Sequence, residues 1–130
     1  MKTFKLLIYE DDSSWVAGFE YNIKPKLAKE GVNLVIQHKL DDSTCSEDIE
    51  WLPKLILVDY DLGAQTGEEI ISQMDDHPQL VHTSIFFYSG GESIENLKAI
   101  ASKFKCGISC FIKDGDSLEQ AVISQGCKPG

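Results

Sequence analysis

Basic side chains are scarce in this chain. Its 130 residues carry 12 Lys and Arg against 21 Asp and Glu, a formal net charge of −9. Such a chain repels phosphate backbones and anionic lipid, which argues against non-specific nucleic-acid or membrane-surface binding. Long hydrophobic runs are missing as well, and nothing approaches the roughly 20 apolar residues of a membrane span. The N-terminal stretch has only Leu6 to Tyr9 as consecutive apolar residues before the acidic triplet Glu10-Asp11-Asp12. That is too short for the apolar region of a secretory signal. No C-x-x-C pair occurs: three residues separate Cys106 from Cys110, and Cys45 and Cys127 are remote. No His follows at zinc-finger spacing, so reduced thiols in a cytoplasmic protein are expected. His38, His77 and His82 share no spacing and are read as surface or core imidazoles. Repeats and low-complexity tracts are absent.

What remains is the composition of a soluble globular protein, 42% apolar and 25% charged. The length suits one domain with its own core. It is placed at 1–125, with 126–130 as a tail or the start of a linker.

Short apolar runs alternate with helical periodicity. Runs at Phe4–Tyr9, Val32–His38, Leu55–Val58, Ile85–Tyr88 and Ile108–Ile112 suit strands buried on both faces. Between them, Trp15, Phe19, Ile23 and Leu27 form one apolar stripe, which Pro25 should kink or split and Gly31 should end. Asp48–Leu52 reads as a short helix. Thr66 with Glu69 reads as a capping box ahead of Ile70, Ile71 and Met74. Ile94, Leu97, Ala101 and Phe104 form an amphipathic stripe, and Ser117 with Gln120 opens a last helix through Ile123. Strands alternating with helices imply right-handed crossovers, hence an α/β doubly wound parallel sheet with helices on both faces.

Ligands of such sheets sit beyond the carboxyl ends of the strands. Strand one ends in Glu10, Asp11 and Asp12. Strand three ends in Asp59, with Asp61 two residues on. Strand four ends in Ser89-Gly90-Gly91, and strand five in Lys113. Only strand two, ending in His38 and Lys39, brings no comparable group. Each residue alone has an ordinary explanation: acids complement a helix N-terminus, a lone Asp makes a turn, and a strand-end Lys is solvated. Together they place acids, a hydroxyl and an amine at one edge. Crowded carboxylates repel unless a cation intervenes, and Mg²⁺ with oxygen ligands and a phosphate oxygen is the natural candidate.

These motifs resemble those of response-regulator receiver domains, over essentially the whole chain. They are Leu-Leu-Ile-Tyr-Glu10-Asp11-Asp12, then Leu-Ile-Leu-Val-Asp59-Tyr-Asp-Leu with Gly67 eight residues after Asp59, then Phe-Phe-Tyr-Ser89-Gly and Phe-Ile-Lys113. The resemblance implies a flavodoxin-like (βα)5 fold with strand order 2-1-3-4-5. It implies a cytoplasmic signalling phosphoacceptor of a two-component system. Asp59 would take a phosphoryl group from a sensor histidine kinase or a histidine phosphotransfer protein. It implies Mg²⁺ on Asp11 and Asp59, with Glu10 acting through water and the Asp61 backbone carbonyl as a further ligand. Lys113 would pair with the phosphoryl oxygens, Ser89 would donate to them as the switch, and Gly90 would keep the site open. The domain would be no enzyme beyond its own phosphorylation and dephosphorylation. It would act on an output domain or partner protein, with no direct nucleic-acid binding.

Four positions depart from the family pattern. Asp114 follows Lys113 where proline is usual, so a cis bond is not expected and the Lys113 loop is expected to sit differently. Cys110 stands where Tyr or Phe is common, with Phe111 one position off. Either Phe111 takes a modified role or the output runs another way. Gly63 replaces a common proline and loosens its loop. The Asp61 carboxylate either binds metal through water or adds negative charge that slows the donor. Two rival readings remain open on the same residues: a pseudo-receiver that binds a protein without phosphorylation, and a small haloacid-dehalogenase-type phosphatase built on Asp59-Tyr60-Asp61. The phosphatase is disfavoured by the position of that motif on the third strand and by the lack of room for a cap domain.

Overall fold

The computed structural model describes residues 2–129. Met1 and Gly130, the ends of the expected domain and tail, lie outside them. Five strands, β1 (Lys2–Tyr9), β2 (Val32–Lys39), β3 (Leu55–Asp59), β4 (Ser84–Ser89) and β5 (Ile108–Ile112), form one parallel sheet in the order β2-β1-β3-β4-β5. That is the expected architecture. Five helices connect and close it: α1 (Ser13–Lys29), α2 (Cys45–Glu50), α3 (Gly67–Met74), α4 (Ile94–Ala101) and α5 (Asp116–Cys127).

Side chains of a strand alternate between its two faces, so each strand feeds two cores. Phe4, Leu6, Ile8, Leu55, Leu57, Phe86 and Tyr88 pack against Val16, Phe19, Ile23, Leu27, Leu118 and Val122 of α1 and α5. Leu7, Tyr9, Ile56, Val58, Ile85 and Phe87 pack against Ile49, Ile70, Ile71, Met74, Leu97 and Ile100 of α2, α3 and α4. Every residue of β3 is buried, which is why its sequence reads as continuous apolar residues up to Asp59.

Several local expectations need correction. Helix α1 is not split at Pro25 but runs unbroken from Ser13 to Lys29. The missing N–H would have served the carbonyl of Tyr21, and Tyr21 is 82% exposed, so water can serve it. Ile23 and Leu27, both fully buried, hold the helix on either side of the proline. Gly31 does terminate it, at φ 75°. Helix α2 spans Cys45–Glu50 rather than Asp48–Leu52, because Cys45, Asp48 and Ile49 form its buried face. Thr66 caps α3 through its hydroxyl, which accepts from the Glu69 N–H. Helix α5 starts at Asp116 behind Gly115, so Ser117 sits inside its first turn instead of capping it. It also continues past Ile123 over Gly126 and Cys127, two residues read as tail. Gly126 is buried there, and a Cβ on it would lie 2.7 Å from Phe4 and 2.8 Å from Leu27.

Candidate functional site

Register and parity bring the site together. Pairing β1 with β3 sets Tyr9 beside Val58, so Glu10 falls beside Asp59 one step further on. Pairing β3 with β4 sets Asp59 beside Tyr88. Glu10 shares a face with Leu6 and Ile8, Asp59 with Leu55 and Leu57, and Lys113 with Phe111. All three therefore continue the face covered by α1 and α5.

The side chains meet at the carboxyl end of the sheet. The Lys113 ammonium lies 3.0 Å from Asp59 Oδ2 and 3.0 Å from Glu10 Oε1. Glu10 is fully buried and Asp59 is 3% exposed. One oxygen each from Glu10, Asp11 and Asp59 falls within 4.8 Å of the others. Burial, then the Asp12 N–H and the Asp59 carboxylate, set the balance at Glu10, whose acid strength is lowered so that its pKa stands above the ordinary value. Asp11 is raised too, by burial and by its hydrogen bond to Glu10. Burial pulls Lys113 down, but hydrogen bonds and charge from Glu10 and Asp59 outweigh it and hold the amine above its usual value.

Buried ions persist only when fully partnered. Glu10 has three donors. The Tyr88 hydroxyl gives Oε1 a bond of 2.9 Å, Lys113 shares that oxygen, and the Asp12 N–H reaches Oε2 at 3.0 Å. The Tyr88 ring stacks on Trp15 at 5.1 Å, and the Lys113 ammonium lies 5.4 Å from the Trp15 ring centre. Tyr88 and Trp15 were legible only as core residues. The available signal was a phenol at the end of a buried strand, since a buried tyrosine hydroxyl needs a partner. Strand two also contributes, contrary to expectation: His38 Nε2 lies 2.6 Å from the backbone carbonyl of Glu10.

Above this floor lies an open cleft of about 710 Å³ lined by Asp11, Asp59, Asp61, Ser89, Gly90 and Lys113 among others. All the sequence-derived candidates except Glu10 line it, and Glu10 lies beneath. The Ser89 hydroxyl accepts from the N–H groups of Gly91 at 3.1 Å and Glu92 at 2.9 Å, which leaves its proton free to donate. A Cβ on Gly90 would meet only Lys113, at 3.8 Å, so an alanine there would be accommodated. Gly67 is the demanding glycine: a Cβ would stand 2.3 Å from the carbonyl oxygen of Asp59.

The described peptide bonds are all trans, yet Lys113 reaches Asp59, because its own N–H is held by the Ser89 carbonyl at 3.0 Å. Phe111 does not stand in for the aromatic missing at Cys110. It points to the opposite face and packs on Phe86 at 4.7 Å, whereas Cys110 faces the α4 side. Gly63 adopts φ 77°, which a proline could not. The Asp61 carboxylate accepts from the Gly63 N–H at 3.0 Å, a turn role. Its backbone carbonyl receives no backbone N–H among the described residues.

No protein-family model and no curated protein matches the sequence. Solved structures do match the fold. The signal receiver domain of a protein described as a LuxO repressor from Vibrio parahaemolyticus superposes with a TM-score of 0.73 at 19% identity, covering 96% of this chain and 90% of that one. The chemotaxis protein CheY4 of Vibrio cholerae gives 0.69 at 15% identity, over 95% and 97% of the two chains. A CheY-like response regulator receiver domain protein from Methanospirillum hungatei gives 0.61 at 16%, over 95% and 97%. With five parallel strands in this order, five covering helices and a carboxylate cluster at the carboxyl edge, the chain has the fold of the response-regulator receiver domains.

Proposed function

We propose that the chain is a phosphoacceptor receiver that takes a phosphoryl group on Asp59 from a histidine kinase or a histidine phosphotransfer protein. The observation that carries this is the pairing of Asp59, at the floor of an open cleft, with an amine 3.0 Å away and two further carboxylates beside it. An Asp59 oxygen attacks phosphorus as the bond to the donor nitrogen breaks, and the imidazole leaves with a proton from solvent. Lys113 turns from Glu10 and Asp59 to the phosphoryl oxygens as a point charge. Ser89 donates its free proton to the same group, and that contact draws on the loop its hydroxyl now holds at Gly91 and Glu92.

The donor set fits Mg²⁺: all-oxygen, doubly carboxylate at Asp11 and Asp59, with a free carbonyl at Asp61 and an open side for solvent and phosphate. Bound there, the ion would neutralise charge developing on the transferring group. Both Glu10 oxygens already accept hydrogen bonds, which supports its contribution through water rather than directly.

Incubation with acetyl phosphate and Mg²⁺ followed by intact-mass measurement tests the reading. One phosphoryl mass is expected on the wild type and none on Asp59→Asn. No gain with any donor would favour the pseudo-receiver, and sustained turnover of a small phosphomonoester the phosphatase.

A further inference from the structure

Lys113 serves two carboxylates at once, 3.0 Å from each. It cannot keep both when a phosphoryl group needs it. Phosphorylation converts the Asp59 carboxylate into an acyl phosphate whose negative charge sits on the phosphoryl oxygens, while Glu10 stays fully buried beneath them. Losing its ammonium partner without replacement would leave a buried oxygen half-satisfied, which costs more than a hydrogen bond gains. The Tyr88 hydroxyl already sits on that same oxygen, Oε1, at 2.9 Å. The phenol is locked in place by the Trp15 stack and by burial of its ring in the α1 and α5 core. The Trp15 face, 5.4 Å from the ammonium, gives Lys113 a second attractive surface as it swings.

We propose that Tyr88 is a positioning residue whose hydroxyl keeps Glu10 held, and thereby releases Lys113 to the phosphoryl group. This rests on the phosphoacceptor reading for its consequence, though not for the Tyr88–Glu10 contact. Tyr88 touches neither the phosphoryl group nor the acceptor oxygen; it acts through Glu10.

A four-protein cycle tests it: wild type, Tyr88→Phe, Glu10→Gln and the double variant. Each is titrated with Mg²⁺ by calorimetry and phosphorylated by acetyl phosphate at saturating Mg²⁺. Phenylalanine keeps the ring and its stack. Removing a hydrogen bond to a charged group should slow phosphorylation of Tyr88→Phe by about tenfold and weaken Mg²⁺ binding several-fold. In the Glu10→Gln background the same change should move either quantity by less than about twofold. An unchanged Tyr88→Phe, or an equal loss in both backgrounds, overturns the proposal, because a merely structural tyrosine would not depend on the Glu10 charge. If the wild type binds Mg²⁺ but gains no phosphoryl group, the phosphoacceptor reading fails, and the affinity cycle still decides whether Tyr88 positions Glu10. A wild type that does neither overturns both. Should Tyr88→Phe fail to fold, the wild-type hydroxyl resonance of Tyr88 decides: protection retained with Mg²⁺ and beryllofluoride supports the proposal, and free exchange with solvent overturns it.

Discussion

Two tyrosines near the carboxyl ends of β1 and β4 solve the same problem on opposite faces of the sheet. Tyr88 donates to buried Glu10, and Tyr9 donates to buried Asp48 at 2.9 Å, where Thr44 and Lys39 complete the partnership. Burial first, then Cys45 and the Asp48 carboxylate at Tyr9 and the Glu10 carboxylate at Tyr88, push both phenols above their ordinary value, so both remain donors throughout the physiological range. The cysteines show burial acting on thiol chemistry. Burial, with the Asp75 carboxylate adding to it, pushes the Cys106 thiol up to about 12. Burial also raises Cys45 and Cys110. A raised thiol holds its proton until the pH climbs through the raised value, so at pH 8 Cys106 is almost wholly the unreactive thiol. A short pulse of iodoacetamide on the native protein should therefore label exposed Cys127 well before the other three, as read by peptide mass. Labelling of Cys106 at the Cys127 rate would contradict this account. These environments were not legible in the sequence, because cysteine spacing says nothing of which thiol a helix will cover.

Elements carry their own constraints, and the helical glycines separate two of them. Gly18 lies on the exposed side of α1, with nothing within 4 Å of a would-be Cβ. Gly18→Ala should stabilise the protein by about 0.5–1 kcal/mol through helix propensity. Gly126 in α5 has the same propensity to gain, but its Cβ would press on Phe4 and Leu27 inside 3 Å. Overpacking costs about 1–3 kcal/mol, so Gly126→Ala should lower stability on balance. Urea denaturation of the two variants checks the opposite signs, and equal shifts would refute the packing argument. The periodicity that announced α1 survived Pro25 because four buried side chains outweigh one missing hydrogen bond. The periodicity of α5 was too weak to show its end, since Gly126 looks like a breaker in sequence and acts as a contact in the fold.

At the scale of the molecule, a chain of net charge −9 gathers three of its acids within one small pocket at the sheet edge. Burial first, and the neighbouring carboxylates after it, raise Glu10 and Asp11, and a divalent cation would offset both. Mg²⁺ should accordingly raise the thermal midpoint by several degrees. A ligand at a hundredfold excess over its Kd stabilises by about 2.7 kcal/mol. Asp11→Asn should blunt that rise, measured by differential scanning calorimetry with and without the ion. A midpoint indifferent to Mg²⁺ in the wild type would argue against the metal site. Hydrophobic pattern was enough to determine the number of strands, their alternation with helices and the residues at their carboxyl ends, because burial on both faces writes itself as continuous apolar runs. It was also enough to pick out Glu10, Asp11, Asp59, Ser89 and Lys113 as candidates. Only the tertiary structure decided which of these touch. Strand register sets Glu10 beside Asp59 and Asp59 beside Tyr88, whose hydroxyl reaches across to Glu10, and side-chain parity sends Phe111 away from the face of Cys110. Contacts between residues dozens of positions apart depend on pairing across strands, and no local pattern in a chain encodes that distance.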